Sequence, residues 1–108
     1  MTIEVITTAS VEMFKKLGNQ RGIAESLAAY AGVCIKEGNY EIGTQLLGSA
    51  NGLINKTGGS WWPADRVDIE RNREICRTNL DHDAFESAWE IGQKMDLGKA
   101  FELVEAIK

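Results

Sequence analysis

Apolar residues recur along the chain at the spacing of one helix face, in six segments separated by short polar interruptions. A period near 3.6 residues predicts amphipathic helices. These span about residues 3–17, 21–36, 40–56, 63–80, 82–95 and 97–107. The clearest segment, 21–36, places five apolar residues on one face: Ile23, Leu27, Tyr30, Ala31 and Cys34. No segment has the two-residue alternation of a strand, so the pattern predicts an all-α protein.

Residues with special backbone chemistry mark the ends of several segments. Gly38 follows the second segment, and glycine readily adopts the left-handed conformation past a helix end. Pro63 suits the first position of the fourth helix, where its missing N–H is not needed. Asp81 and Asp96 stand before the fifth and sixth helices as N-caps. These signals support the predicted boundaries.

Small residues occupy particular positions in the second and third predicted helices. Ala31, Gly43 and Ala50 fall where two antiparallel helices cross, and a larger side chain there would push the helices apart. Larger residues hold the positions around them: Leu27, Tyr30, Cys34 and Leu47. This arrangement resembles the tetratricopeptide repeat, a helix pair that stacks on its neighbours. The sequence therefore predicts antiparallel helix pairs in a tetratricopeptide-like right-handed superhelix of about six helices.

Only one unit carries this pattern clearly. The last three predicted helices depart from it and suit a C-terminal cap, which stacked repeats need. The length of 108 residues fits one domain. We therefore expect a single domain over residues 1–108, with tetratricopeptide-like helices at 1–60 and capping helices at 61–108.

Composition and charge argue against several partners. The net charge of −4 offers no attraction for phosphate backbones, so we expect no direct nucleic-acid binding. No apolar run approaches the roughly 20 residues that span a bilayer, and residues 1–6 lack the basic start of a signal peptide. We expect a cytoplasmic protein without membrane contact, in which Cys34 and Cys76 are buried thiols.

Five segments resemble one protein family, the last of them residues 97–106, which resemble the family's closing helix. Residues 17–27 (LGNQRGIAESL) are similar to the "LGDRRGIAESL" of large bacterial regulatory ATPases, and residues 45–50 to their "RLLGAAE" helix. Residues 63–71 resemble "PPADRAEYER" and residues 84–92 resemble "AAFAAAWAEG". In that family, tetratricopeptide-like helices follow a nucleotide-binding engine, often with a transcription-factor domain. The resemblance implies the helical C-terminal end of such a signalling or transcriptional regulator, or a free-standing relative of it.

No residue set indicates catalysis. The chain has no Gly-x-x-x-x-Gly-Lys-Ser/Thr loop, so the resemblance implies no nucleotide hydrolysis here. His82 is the one histidine, and Asp81-His82-Asp83 suits a helix cap better than a metal site. No serine motif accompanies this histidine, so no nucleophile–base pair stands out. We therefore expect no enzymatic activity, no cofactor and no metal.

Two adjacent tryptophans are candidate binding residues. Trp61 and Trp62 depart from the family pattern, where proline and small apolar residues are usual. Tryptophan is common in interface hot spots, so the pair suggests an aromatic anchor for a partner. In the alternative, which we favour for at least one ring, one indole packs between the third and fourth helices and the other covers the edge of the core.

Three arginines lie on one side of the fourth predicted helix. Arg66, Arg73 and Arg77 are candidates for gripping an acidic partner. Glu70 lies among them, four residues after Arg66 and three before Arg73. We therefore favour a solvated ion-pair face, in which Glu70 pairs with both of these arginines.

The concave side of a tetratricopeptide array is lined by fixed positions on the first helix of each pair. In this register they are Glu25, Ala28, Gly32, Ile35 and Lys36. This surface is shallow and largely small or apolar, so it suits a packed helix from a neighbouring repeat or a second copy. We expect a homodimer through the first two helices, unless residues 1–17 fold back and cover that end themselves.

These observations predict a non-enzymatic helical-repeat module for protein–protein interaction in bacterial signalling or transcriptional control. The alternative is a domain that senses a small molecule or a peptide, with a pocket between helix pairs near Tyr30 and Trp61-Trp62. A sensor gains thermal stability when its ligand binds, whereas a scaffold responds only to a protein or to its own concentration.

Overall fold

The computed structural model describes residues 20–56 and 61–106. Five α-helices make up most of this part of the chain, and it contains no strand. The helices are α1 (Gln20–Lys36), α2 (Tyr40–Lys56), α3 (Pro63–Asn79), α4 (His82–Lys94) and α5 (Leu97–Ala106). The all-α prediction is therefore confirmed for the described residues. The helix predicted at 3–17 lies outside them.

The turn between α1 and α2 depends on Gly38. This residue has a φ of 84°, which is the conformation predicted for the position after a helix end. Two backbone hydrogen bonds close the last turn of α1: Gly38 N–H donates to the Ile35 carbonyl at 3.0 Å and Asn39 N–H to the Cys34 carbonyl at 2.8 Å. They satisfy carbonyls that the end of a helix otherwise leaves without partners.

The other predicted boundary residues also hold the positions expected of them. Pro63 begins α3. The Asp81 carboxylate accepts a hydrogen bond from Ala84 N–H at 2.7 Å, and the Asp96 carboxylate accepts one from Lys99 N–H at 2.8 Å. The two N-caps are therefore confirmed.

Helix α2 forms the centre of the fold. It contacts each of the other four described helices and packs most extensively on α1 and α4. Its inward face is almost inaccessible to solvent: Thr44, Leu46, Leu47, Ala50 and Ile54 are all buried. The core therefore lies on both sides of α2, with α1 on one side and α4 on the other.

The small residues predicted at the α1–α2 crossing are buried there. Ala31 and Ala50 have no exposed surface, and Gly43 is also buried. A β-carbon added at Gly43 would lie 2.6 Å from Ile35 Cγ1 and 3.4 Å from the Ala31 carbonyl oxygen. The prediction of a close crossing is therefore confirmed at Ala31 and Gly43, and Ala50 is buried as expected.

A still closer approach, absent from the sequence-based expectations, lies between α2 and α4. A β-carbon at Gly92 would be 2.1 Å from the Gln45 carbonyl oxygen, and one at Gly48 would be 2.6 Å from the Trp89 carbonyl oxygen. Both neighbours are backbone atoms, which cannot rotate away as a side chain can. Glycine at 48 and 92 therefore lets the two helix backbones touch.

Candidate interaction surfaces

A groove runs between α1 and α3, with a volume of about 350 Å³. We call it the α1–α3 groove. Its α1 wall includes four of the five positions predicted for a concave surface: Glu25, Ala28, Gly32 and Lys36. The fifth, Ile35, is only 6% exposed and packs against Gly43 of α2. The placement of Ile35 on the concave surface is therefore corrected: its side chain faces α2 and belongs to the core.

The opposite wall of the α1–α3 groove comes from residues of α3 and the loop before it. It includes Trp61, Asp65, Asp68, Ile69, Arg71 and Asn72. Asp68 and Arg71 form a salt bridge of 2.8 Å, and both side chains are well exposed. A β-carbon added at Gly32 would lie 3.5 Å from the Asn72 side chain, so glycine keeps this part of the groove open. The floor is apolar and the rim carries both charges.

The side chains of Trp61 and Trp62 lie in different environments. Trp61 is 8% exposed, and its Nε1–H donates to Asn51 Oδ1 at 3.2 Å, which ties the start of α3 to α2. Trp62 is 62% exposed, and the Arg21 guanidinium lies 5.4 Å from the centre of its ring. The interpretation favoured for at least one ring is confirmed by Trp61. Trp62 is the indole that remains on the surface.

The three arginines of α3 predicted as binding residues differ in their surroundings. The Arg73 guanidinium lies over the Trp89 ring, 4.2 Å from its centre. Arg77 donates two hydrogen bonds to the Glu74 carboxylate, one of them from Nε to Oε2 at 2.8 Å. These hydrogen bonds lower the pKa of the Glu74 carboxyl. Arg66 takes part in no salt bridge among the described residues.

Among the described residues, Glu70 forms neither of the ion pairs predicted for it. The predicted pairing of Glu70 with Arg66 and Arg73 is therefore wrong. The spacing rule considers only one helix, whereas Arg73 is drawn to an aromatic ring on α4.

Arg66 and Arg73 line a second depression, of about 240 Å³, which we call the arginine cleft. The cleft lies between α2, α3 and α4. Asn51, Ile54 and Asn55 form its α2 wall, Arg66, Ile69, Glu70 and Arg73 form its α3 wall, and Trp61 and Trp89 complete the lining. Three predicted binding residues, Trp61, Arg66 and Arg73, are therefore brought together here.

Two other predicted binding residues lie in the core. Tyr30 is 4% exposed and Ile35 is 6% exposed. Tyr30 lines neither the α1–α3 groove nor the arginine cleft. A pocket shared by Tyr30 and both tryptophans therefore does not correspond to either depression.

A third surface was missed by sequence reasoning. Ile91 of α4 is 49% exposed and lines an apolar groove of about 570 Å³ with Met95 and Leu103, and Lys94 and Lys99 stand at its rim. Ile91 lies off the stripe that α4 turns toward the core, and an isoleucine on a polar face is the signal that would have found it.

Both cysteines are free and buried, as predicted. Burial raises the pKa of the Cys34 thiol to about 11, and the nearby Glu37 carboxylate adds to the effect. Burial also raises the pKa of the Cys76 thiol, and a hydrogen bond with the Thr44 side chain offsets part of this rise. Neither thiol is therefore suited to nucleophilic chemistry at neutral pH.

The described residues contain no cluster of three or more His, Cys, Asp and Glu side chains placed to hold a metal ion. Within the same ranges, no helix has the length and apolar character required to cross a bilayer. The chain matches no protein-family model, no curated protein and no solved structure.

Proposed function

We propose that this protein is a non-enzymatic helical-repeat module that binds another protein through the α1–α3 groove. One observation carries the proposal: Glu25, Ala28, Gly32 and Lys36, singled out from the repeat register alone, line a single groove opposite α3. In this proposal α1 and α2 are one tetratricopeptide-like pair of a right-handed superhelix, and α3 to α5 are its cap.

The shape and chemistry of the groove suit a protein segment. Its floor is built from small and apolar side chains, among them Ala28, Gly32 and Val33, so a helix or an extended chain can approach the α1 backbone closely. The rim presents Glu25 and Asp65 as well as Lys36, which favours a partner that carries charges of both signs.

The biological setting is proposed from the resemblance to bacterial regulatory ATPases, which gives a role in cytoplasmic signalling or transcriptional control. A homodimer is the simplest self-association for such a module. The dimer interface is predicted for the helices at 3–17 and 21–36, of which the first lies outside the described residues. Light scattering at micromolar concentration tests for the dimer, because a dimer has twice the 11.9 kDa mass of the chain. A monomer across the concentration range removes the dimer from the proposal.

Substitution of Gly32 by leucine tests the groove. The leucine β-carbon would already lie 3.5 Å from the Asn72 side chain, so the rest of the side chain would extend into the groove and should block a partner. Ser87→Leu is the matched control, because Ser87 is an exposed helical position on α4 that does not line the groove.

The partner is captured from native cells with the wild-type chain and both variants, and bound protein is quantified by mass spectrometry. The proposal expects a protein that is retained by the wild type and by Ser87→Leu and lost with Gly32→Leu. A partner that binds all three chains equally would show that the groove is not the binding surface. Circular dichroism confirms that each variant is folded.

A further inference from the structure

We propose that the arginine cleft binds a small organic dianion, with one anionic group at Arg66 and the other at Arg73. The two residues are seven positions apart on α3, which places their α-carbons about 10.5 Å apart along the helix axis on nearly the same side. Both side chains line the cleft. This spacing exceeds the charge separation of a short dicarboxylate or a phosphate-bearing carboxylate, so the two long arginine side chains would converge on such a ligand from the ends of the cleft.

The two guanidinium groups are available to a ligand. Neither forms a salt bridge within residues 20–56 and 61–106, whereas Arg71, Arg77, Lys94 and Lys99 each pair with a carboxylate on their own helix. Glu70 is the one carboxylate that lines the cleft, so the cleft has one more positive than negative charge. This local excess contrasts with the net charge of −4 of the chain.

The Arg73 side chain is held in place by Trp89. Its guanidinium lies 4.2 Å from the centre of the Trp89 ring. Stacking on an aromatic face leaves the N–H groups of a guanidinium for a carboxylate or phosphate, which it can bind through two parallel hydrogen bonds. Part of the ordering that a ligand would otherwise impose on Arg73 is therefore already present in the free protein.

The α2 wall supplies further donors. Asn51 Oδ1 accepts the hydrogen bond of Trp61 Nε1–H, and this assigns the oxygen of the amide and leaves its NH₂ group as a donor. Asn55, one helical turn further along, is exposed and adds a second amide to the same wall. Ile54 and Ile69 line the cleft as apolar surface for the carbon atoms that join the two anionic groups.

The size of the cleft limits the ligand. Its volume of about 240 Å³ lies below the 300–1,000 Å³ that is typical of pockets for drug-sized ligands, so a molecule of a few carbon atoms fits best. The inference does not depend on the protein-binding function proposed above, since the cleft and its test require no partner.

The test uses intrinsic fluorescence of the full chain. The protein has three tryptophans, of which Trp61 and Trp89 line the cleft, so a Trp62→Phe background leaves only these two as reporters. The probes are succinate, inorganic phosphate and acetate, added at constant ionic strength. We expect a saturable change with succinate at a Kd at least tenfold lower than with acetate, because acetate can engage one arginine only. Inorganic phosphate carries its charge on one compact group, so it is expected to bind more weakly than succinate.

Variants on the same helix identify the groups involved. Arg66→Gln and Arg73→Gln are each expected to raise the Kd for succinate at least tenfold. Arg71→Gln removes the same charge from α3 outside the cleft and is the matched control, with an unchanged Kd. Because Arg73→Gln also alters the surroundings of Trp89, the indole N–H resonances of Trp61 and Trp89 are followed by NMR as a second measurement.

Three results overturn the proposal. One is the lack of any saturable change in both fluorescence and NMR. Another is equal affinity for succinate, phosphate and acetate, which would show that the two arginines do not act together. The third is the same loss of affinity in Arg71→Gln as in Arg66→Gln, which would show a general charge effect.

Discussion

Replacement of Gly92 by alanine introduces a methyl group where α4 touches α2. The added β-carbon would lie 2.1 Å from the Gln45 carbonyl oxygen and 3.0 Å from the Ser49 nitrogen. Both are backbone atoms, so the strain cannot be relieved by a change of rotamer. Restoring the oxygen to an ordinary contact of 3.4 Å requires an increase of about 1.3 Å, which the two helices must supply by moving apart.

Two opposing effects set the size of the change in the free energy of unfolding. Alanine favours the interior of a helix over glycine by about 1 kcal/mol. Overpacking in a close-packed interior costs about 1–3 kcal/mol, and more where backbone must shift. Separation of α2 and α4 also loosens the contacts of the central helix, so the cost dominates. We expect Gly92→Ala to lower the free energy of unfolding by about 2 kcal/mol, which corresponds to a fall in Tm of roughly 10 °C.

Gly32→Ala is the matched control. A β-carbon there has its nearest neighbour at 3.5 Å, the Asn72 side chain, so the methyl group fits and only the gain in helix propensity remains. This variant should be more stable than the wild type by up to about 1 kcal/mol. Urea unfolding followed by far-UV circular dichroism measures both changes.

The combination of Gly92→Ala with Gly48→Ala extends the test. Gly48 belongs to the same contact, with its added β-carbon 2.6 Å from the Trp89 carbonyl oxygen. Once the helices have moved apart for one methyl group, the second should cost less than it does alone. If Gly92→Ala is as stable as the wild type or more stable, the close backbone contact does not exist as described.

Three further predictions concern a cap, the buried thiols and the buried indole. Asp81→Ala removes the acceptor for the first turn of α4 and should cost about 1 kcal/mol in thermal unfolding, whereas Asp81→Asn should restore most of it. Cys34 and Cys76 should react with a thiol reagent only after unfolding. Because the pKa of Cys34 rises from 9.0 to about 11 in the folded chain, the unfolded chain loses this proton first, and stability should fall as pH rises from 9 to about 11. Trp61→Phe leaves the Asn51 amide oxygen without its donor and should cost about 1–3 kcal/mol, and in that background Asn51→Ala should cost less than it does alone.

The boundaries of the helices could be predicted because their causes are local. Gly38 permits the left-handed turn after α1, and Asp81 caps α4 through a residue three positions away. In each case the residue and the backbone group that it serves are separated by a few positions in the chain. Propensity and capping rules therefore describe these ends without any knowledge of the tertiary fold.

Only one wall of the α1–α3 groove could be predicted from the sequence. Helical periodicity indicated which α1 residues would share a face, and Gly32 does line a groove with its predicted neighbours. The identity of the facing wall depends on where α3 packs. The same limit explains the incorrect pairing of Glu70, because Trp89, which engages Arg73, reaches it from another helix.

The sequence by itself determined that the described part of this chain forms helices, where four of them begin or end, and which residues α1 turns inward apart from Ile35, because these properties arise from interactions over a few residues. Only the tertiary structure decided that α2 lies at the centre and that Gly48 and Gly92 meet there. Outside a recognisable repeat pattern such as the one around Gly43, glycine at a crossing looks the same in sequence as glycine at an exposed helical position. The difference is the backbone of a second helix 44 positions away, and its distance is set by the packing of the whole core.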